Sequence, residues 1–305
     1  MIPILIIGSS TPLQKTYPHF LESKELSVEA VFLDLNVDSE VLKKSAHDKI
    51  DTFSMDELSS NEGIKRVEKL EPDWIFNINS TVILNKRILH AARKGVLNLH
   101  PGLLPRYAGL HTHQWAIRNC ESEFGATIHW VTEGIDEGDI VLQETFKLTG
   151  KETGLSLFLK TMQVGTNCLK QVIDMITANE KLPRIEQDLS ARTLYTNAAA
   201  QDGLINWNLS ARELEAFVRA ADYHPFKSPT YRPYTVIKKE KVFIDKVNVD
   251  FSRAEVKPGK IVVDRNDQVW IGTGSEVLQI IKSKDKSQKP FNFKPFHGLQ
   301  IGLDV

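Results

Sequence analysis

In the first hundred residues, short apolar runs alternate with stretches patterned for helix, and this alternation leaves few folds open to the chain. Pro3-Ile4-Leu5-Ile6-Ile7-Gly8 offers water no polar residue on either side. A strand of that kind is buried on both faces, as in a parallel sheet covered by helices. Gln14 to Ser23 then carries a helical pattern, with Pro18 expected near its first turn. Val28 to Leu33 reads as a second strand. Asp56 to Leu70 is helical and stops at Glu71-Pro72, because proline disfavours helix for the residue before it. Asp73 to Asn77 is strand again, Asn85 to Lys94 is helix ended by Gly95, and Val96 to Leu99 is strand. Repetition of this sort builds a mostly parallel α/β sheet with helices on both faces. Sites in such sheets lie beyond the carboxyl ends of the strands, and Asn98 to His100 is one of those ends.

The pattern then changes. Ala126 to Val131 and Ile140 to Phe146 are β-like runs separated by Gly134 and Gly138. Thr153 to Ile176 is a long helix in which Leu155, Phe158, Leu159, Met162, Cys168, Leu169, Val172 and Ile173 recur at helical spacing and read as core. Residues 181–208 are polar and irregular, as in a linker, and Leu209 to Ala221 is a helix. Beyond Pro225 come Tyr234 to Lys238, Val242 to Val249, Gly259 to Val263, Gln268 to Gly272 and Val277 to Lys282. Short strands at such close spacing suggest a small antiparallel β-barrel or sandwich. The 305 residues exceed one ordinary domain and suit two. The expected division is a domain over 1–180, a linker over 181–208 and a C-terminal domain over 209–305.

Charge excludes some partners. The net charge is −1 and the pI about 6.8, so no global field points to nucleic acid or membrane. Residues 204–305 carry 17 Lys and Arg against 12 Asp and Glu, densest at Lys282, Lys284, Lys286, Lys289 and Lys294. That stretch is either a patch for an anionic substrate or a solvated tail. Met1 to Ile7 has no basic lead-in and no small-residue cleavage site, so it reads as a buried strand rather than a signal peptide. No apolar run approaches the length of a membrane span. Cys120 and Cys168 form no CxxC and no disulfide framework, which suits a cytoplasmic setting.

The segment richest in chemistry is Asn98-Leu99-His100-Pro101-Gly102-Leu103-Leu104-Pro105-Arg106-Tyr107-Ala108-Gly109. Side chains two apart on a strand share a face, so Asn98 and His100 can point into one cleft. Downstream, Gly134-Ile135-Asp136-Glu137-Gly138-Asp139 places a carboxylate on a turn between two strands. An amide, an imidazole and a carboxylate are the parts acyl transfer needs: one takes or orients a proton, another stabilises oxyanion charge. Residue types alone leave a structural histidine as the plainer reading.

Asn98 to Gly109, with Gly125-Ala126-Thr127-Ile128-His129 and Ile135-Asp136-Glu137-Gly138-Asp139-Ile140-Val141, resembles the signature of the 10-formyltetrahydrofolate-dependent formyltransferases. The resemblance covers roughly residues 1–180 and continues more weakly through Leu204-Ile205-Asn206-Trp207 and Phe217-Val218-Arg219-Ala220. It implies a Rossmann-like first domain, an OB-like barrel at the end, and 10-formyltetrahydrofolate as co-substrate. It also implies roles. Asn98 would hold the formyl oxygen, and His100 would stabilise the oxyanion and help move a proton. Asp136 would orient His100 and favour its charged form. The pteridine is expected against Phe76-Asn77-Ile78-Asn79-Ser80 and the loop before Asp136, with Leu103 and Leu104 as walls. An adenine-nucleotide reading is weak, since Gly8-Ser9-Ser10 stands where GxGxxG would follow the first strand. His100, His111 and His113 could suggest zinc, but no ligand set of known spacing surrounds them, and no metal is expected. In relatives this stretch lines the acceptor cleft, so Tyr107, His111 and His113 are candidate acceptor contacts beside a plain surface or cap role.

The amine acceptor is less constrained. Enzymes of this family that act on tRNA usually carry Arg where Ala108 stands, and a basic loop after the second strand. Here that loop is Asp34-Leu35-Asn36-Val37-Asp38-Ser39-Glu40, which is acidic and opposes phosphate neutralisation. Glycinamide ribonucleotide formyltransferases are shorter. The two-domain layout is similar to that of sugar-nucleotide N-formyltransferases, so a nucleotide-linked amino sugar, an anionic small molecule, is the favoured acceptor, with an amino-acid amine such as hydroxyornithine as the alternative. Asp222-Tyr223-His224-Pro225-Phe226 and the Arg232 region either shape the acceptor side or form a hinge. Formyltetrahydrofolate hydrolase, with water replacing the amine, and a non-catalytic folate-binding module are readings from other classes. A homodimer is among the assemblies left open.

Overall fold

The computed structural model describes residues 1–36, 38–197, 202–254 and 256–302. It divides into two compact units whose segments interleave along the chain. One takes Met1–Gly109, Glu123–Lys147 and Phe158–Leu194; the other takes Leu110–Ser122, Leu148–Leu157 and Tyr195–Val305. Residues 110–122 and 148–157, which the sequence reading leaves inside a domain over 1–180, thus belong to the second unit.

The first unit is built on a seven-stranded sheet of β1 (Ile2–Gly8), β2 (Leu26–Leu33), β3 (Asp51–Ser54), β4 (Trp74–Ile78), β5 (Gly95–His100), β7 (Glu123–Trp130) and β8 (Ile140–Lys147). A two-residue strand β6 (Ala108–Gly109) precedes β7 and pairs with β9 (Leu194–Tyr195). The order in the large sheet is β3-β2-β1-β4-β5-β7-β8; the pairs through β5 are parallel, and β7 and β8 are antiparallel. The helices are α1 (Ser10–Glu22), α2 (Ser39–His47), α3 (Asn61–Leu70), α4 (Lys86–Ala91) and, from Phe158 onward, α6 (Gly154–Thr177).

Both-face burial explains the apolar runs. Ile4 and Ile6 of β1 pack with Leu13, Tyr17 and Phe20 of α1 and with Leu169, Val172 and Ile173 of α6. Leu5 and Ile7, pointing the other way, pack with Ile64 and Val67 of α3 and Ile88 of α4. Helix stops follow local chemistry: Ser60 accepts from Gly63 N–H to start α3, and Glu71 in a left-handed conformation ends it before Pro72.

Three details differ from expectation. α1 begins at Ser10, so Pro18 lies in the helix interior rather than its first turn. Leu159 is 49% exposed, and the fully buried side chain at that end of α6 is Leu157. α2 and β3, short and polar, carry too weak a pattern to be expected.

The second unit contains α5 (Thr112–Arg118), α7 (Ala211–Ala220) and a five-stranded antiparallel sheet of β10 (Tyr234–Ile237), β11 (Glu240–Asp250), β12 (Ile261–Val263), β13 (Val269–Gly272) and β14 (Val277–Lys284). The order β10-β11-β14-β13-β12 makes a half-barrel rather than a flat sandwich. Ser210 and Glu213 form a capping box that starts α7, whose Leu214 and Val218 pack with Trp207, Val242, Ile244, Ile271 and Leu278. Among the described residues, no helix is long and apolar enough to cross a membrane.

Candidate active site

β5 lies at the seam where the sheet changes direction: parallel to β4 and antiparallel to β7. Its Leu97 and Leu99 enter the core with α1 and α6. Asn98 and His100 alternate onto the opposite face, as the two-residue period requires. Register places His129 of β7 beside Asn98, and Thr127 beside His100. A turn between β7 and β8 brings up Asp136, so all three expected catalytic residues gather within the first unit.

Asn98 Nδ2 lies 2.9 Å from His129 Nε2. His129 Nδ1 lies 2.9 Å from the Trp130 carbonyl, which can only accept. The proton therefore belongs on Nδ1, and Nε2 accepts from the Asn98 amide. One N–H of that amide is thereby fixed and the other is free to face an oxygen.

His100 is 3% exposed, and its Nε2 donates to the Tyr107 carbonyl at 2.6 Å. Its Nδ1 faces Asp136 Oδ2 at 3.5 Å, and Asp136 Oδ1 stands 3.5 Å from His129 Nε2. The carboxylate also accepts from Gly109 N–H at 2.8 Å. Burial is the largest influence on His100 and lowers its pKa; Asp136 and the Tyr107 bond raise it, His129 lowers it, and the net is a lowering. For Asp136 burial raises the pKa, but the attraction of His100 and His129 in their protonated forms and the Gly109 N–H outweigh it, and the carboxyl is held well below the usual range. At neutral pH the pair is a carboxylate beside a neutral imidazole. Asp136 thus favours the charged form of His100, while desolvation opposes it more strongly.

The loop after β5 is stiffened from the sheet. Thr127 Oγ1 donates to the Gly102 carbonyl at 2.6 Å, and Gln143 Nε2 donates to the Leu104 carbonyl at 3.0 Å. Gly102 is required, because a Cβ there would lie 2.8 Å from both His100 Nε2 and the Tyr107 carbonyl.

The other expected residues divide. Asn77 is the register partner of Asn98, and its Oδ1 is buried with no hydrogen-bond partner among the described residues. Such an acceptor fits an N–H-bearing ring of a folate. Asn79 has a left-handed φ of 52°, and its carbonyl accepts from Ser9 Oγ at 3.1 Å. Phe76 and Ile78 point the other way into the core, with Phe76 4.9 Å from Phe20, so they do not share the Asn98 face. Leu103 is half-buried; Leu104 is buried with Ala108 and Ile140. Tyr107 contributes its carbonyl, while its buried ring meets Phe124 edge-on at 5.4 Å. His111 and His113 belong to the second unit. His111 Nε2 lies 2.8 Å from Asn197 Oδ1, and His113 is buried with its Nε2 bonded to the Tyr223 hydroxyl. The rings of Tyr107 and His113 are both buried. His129 lies outside the catalytic set the sequence implies, since only the antiparallel register puts it beside Asn98. Among the described residues, no group of three His, Cys, Asp or Glu side chains is placed to hold a metal ion.

An amide donor fixed at the carboxyl end of a parallel strand, with a buried carboxylate–imidazole pair, defines an α/β enzyme of group transfer. Residues 4–173 match the family described as formyl transferase, and residues 197–298 match the formyl transferase C-terminal domain. The chain belongs to the formyl transferase family, whose members transfer formyl groups. It is 32% identical over 263 residues to a methionyl-tRNA formyltransferase of Syntrophomonas wolfei, covering 84% of this chain and 80% of that one. It is 28% identical over 256 residues to the enzyme of the same name from Alkaliphilus oremlandii, with the same coverage. Its fold is similar to that of an N-formyltransferase from Helicobacter canadensis in complex with folinic acid and dTDP-3-aminofucose. That likeness has a TM-score of 0.67 at 20% identity, covering 92% of this chain and 99% of that one.

Proposed function

We propose that the chain transfers a formyl group from 10-formyltetrahydrofolate to the amine of a nucleotide-linked amino sugar. The observation that carries the chemistry is the anchored Asn98 amide beside the Asp136–His100 pair. The donor would supply an activated formyl carbon, with Asn77 and Asn98 the residues of this chain that would hold it. The free Nδ2–H of Asn98 donates to the formyl oxygen as negative charge builds there. His100, neutral because it is buried, takes the amine proton at Nδ1 as the amine nitrogen bonds to the formyl carbon, and Asp136 stabilises the imidazolium so formed. The bond from the formyl carbon to the donor nitrogen then breaks, and the proton on His100 passes to that leaving nitrogen. The folinic acid and dTDP-3-aminofucose held by the Helicobacter canadensis enzyme support the choice of donor and acceptor class.

Methionyl-tRNA is the second reading, favoured by the names of the two relatives above. Against it stands the acidic stretch from Asp34 to Glu40, although Asp38 is buried and Val37 lies outside the described residues. Ala108, fully buried with Leu104 and Ile140, presents no cation where the tRNA enzymes carry arginine. Thermal shifts with dTDP-linked amino sugars, hydroxyornithine and initiator methionyl-tRNA separate the acceptors. A true ligand at about 100 times its Kd adds about 2.7 kcal/mol of stability. Formyl transfer to a sugar nucleotide that shows such a shift is the expected result. No shift with any sugar nucleotide, or formate release without amine at the same rate, defeats the proposal.

A further inference from the structure

Residues 182–194, which read as linker from sequence, lie along the turn that carries Asp136. Trp130 Nε1 donates to the Pro183 carbonyl at 2.9 Å. Ile140 and Ile185 exchange backbone hydrogen bonds at 2.8 and 3.0 Å. Gln187 Nε2 donates to the Asp136 carbonyl at 2.9 Å and to the Gly138 carbonyl at 2.6 Å. Arg192 Nη2 donates to the Ile135 carbonyl at 2.8 Å and pairs with Glu137 at 3.4 Å. Thr193 accepts from the Ala108 N–H at 3.1 Å, one residue before the Gly109 N–H that binds the Asp136 carboxylate.

Gln187 is the tie with the most direct grip. It is 6% exposed, and its Oε1 is buried with no hydrogen-bond partner among the described residues. Both groups it serves are carbonyls, so turning the amide over would set oxygen against oxygen. A buried amide that keeps one atom unsatisfied calls for a reason beyond packing. Asp136 supplies that reason. Its φ of 55° is left-handed, and a non-glycine residue stays there only where its surroundings hold it.

We propose that Gln187 is a positioning residue for formyl transfer: its two N–H donors pin the Asp136 and Gly138 carbonyls and so fix where the Asp136 carboxylate meets His100. This rests on the formyl-transfer reading above. Gln187 lies beyond residues 4–173, the part of the chain that matches the catalytic-domain family.

Gln187→Leu removes both donors and the orphaned oxygen at similar volume. We expect kcat to fall about 10- to 100-fold while KM for the donor changes less than about threefold. In an Asp136→Asn background the same change should cost less than about twofold, since a residue acting through Asp136 then has little left to position. Equal losses in both backgrounds, or a lower Tm with kcat per folded molecule unchanged, overturn the proposal. The titration of His100, followed by NMR without substrate, should differ between wild type and Gln187→Leu. The groups facing that ring are Asp136, His129 and the Tyr107 carbonyl, and an unmoved titration also overturns it. Because this readout needs no formyl donor, a wild type inactive in transfer would defeat the proposed function while the positioning role is judged by its own result. If Gln187→Leu does not fold, Gln187→Asn, whose shorter amide cannot span both carbonyls, carries the same comparisons.

Discussion

Asp136→Asn isolates the charge at the centre of the site. Asparagine keeps the shape, tolerates the left-handed backbone and can still accept from Gly109 N–H. What disappears is a full negative charge 3.5 Å from His100 Nδ1. At an effective dielectric of about 20, that charge attracts an imidazolium by about 5 kcal/mol, which is a ceiling because the amide dipole remains. The neutral ground state of His100 feels little of this attraction, and the proton-bearing state feels nearly all of it. Loss of a group that acts only there should lower kcat about 10²- to 10³-fold, or roughly 3–4 kcal/mol. The pH profile gives a second, signed readout. Free His100 must be neutral to take a proton, so kcat/KM falls on the acid side. Asp136 raises the His100 pKa, so its removal moves the acid limb to lower pH while the plateau drops. Steady-state kinetics of wild type and variant from about pH 4 to 8 measure both. A plateau loss under about tenfold, or an acid limb moved upward, would refute the assignment of His100 as base with Asp136 as its partner.

Gly102→Ala forces a methyl group between His100 Nε2 and the Tyr107 carbonyl, and should lower kcat by more than about tenfold in a folded protein, as seen by circular dichroism alongside activity. His129→Phe removes the acceptor that orients Asn98; the amide can then turn over, and kcat should fall about 10- to 100-fold with a smaller change in donor KM. His113 is buried, which pulls its pKa down to about 3 from an unfolded value near 6.5. Between those values the unfolded chain binds the extra proton, so stability falls with falling pH by up to about 1.4 kcal/mol per unit from this residue. Urea midpoints at pH 4 and 6.5 should show that slope in wild type and less of it in His113→Asn.

Much of the first unit was legible because burial on both faces leaves a plain mark. Pro3 to Gly8 has no polar position, and its neighbours in the sheet are largely apolar, Leu26–Leu33 with Ser27 and Glu29 in its first half and Trp74–Ile78 with Asn77 alone. The Asn98–His100 pair was legible for a related reason, since the two-residue period fixes a shared face without knowledge of neighbouring strands. His129 was not, because antiparallel register depends on contacts distant in sequence. Phe76 and Ile78 were misplaced for want of the same period: beside Asn77 they must face away from it. Residues 182–194 read as linker because they hold the turn through backbone groups, one amide and one guanidinium, and none of these leaves a hydrophobic rhythm. His111 and His113 drew attention as a pair, yet tertiary packing turned them to Asn197 and Tyr223.

The seam at β5 also governs which changes in chain length the protein can tolerate. Deleting one residue within Gly95–His100 would exchange the faces of that strand, sending Asn98 and His100 into the packed layer under α1 and α6 and bringing Leu97 and Leu99 out. No substitution elsewhere would restore the site. A residue added between strands leaves every register intact. Loops that carry no residue of the site can therefore vary in length, whereas the core strands, the segment from Pro101 to Gly109 and the turn around Asp136 admit changes of side chain only.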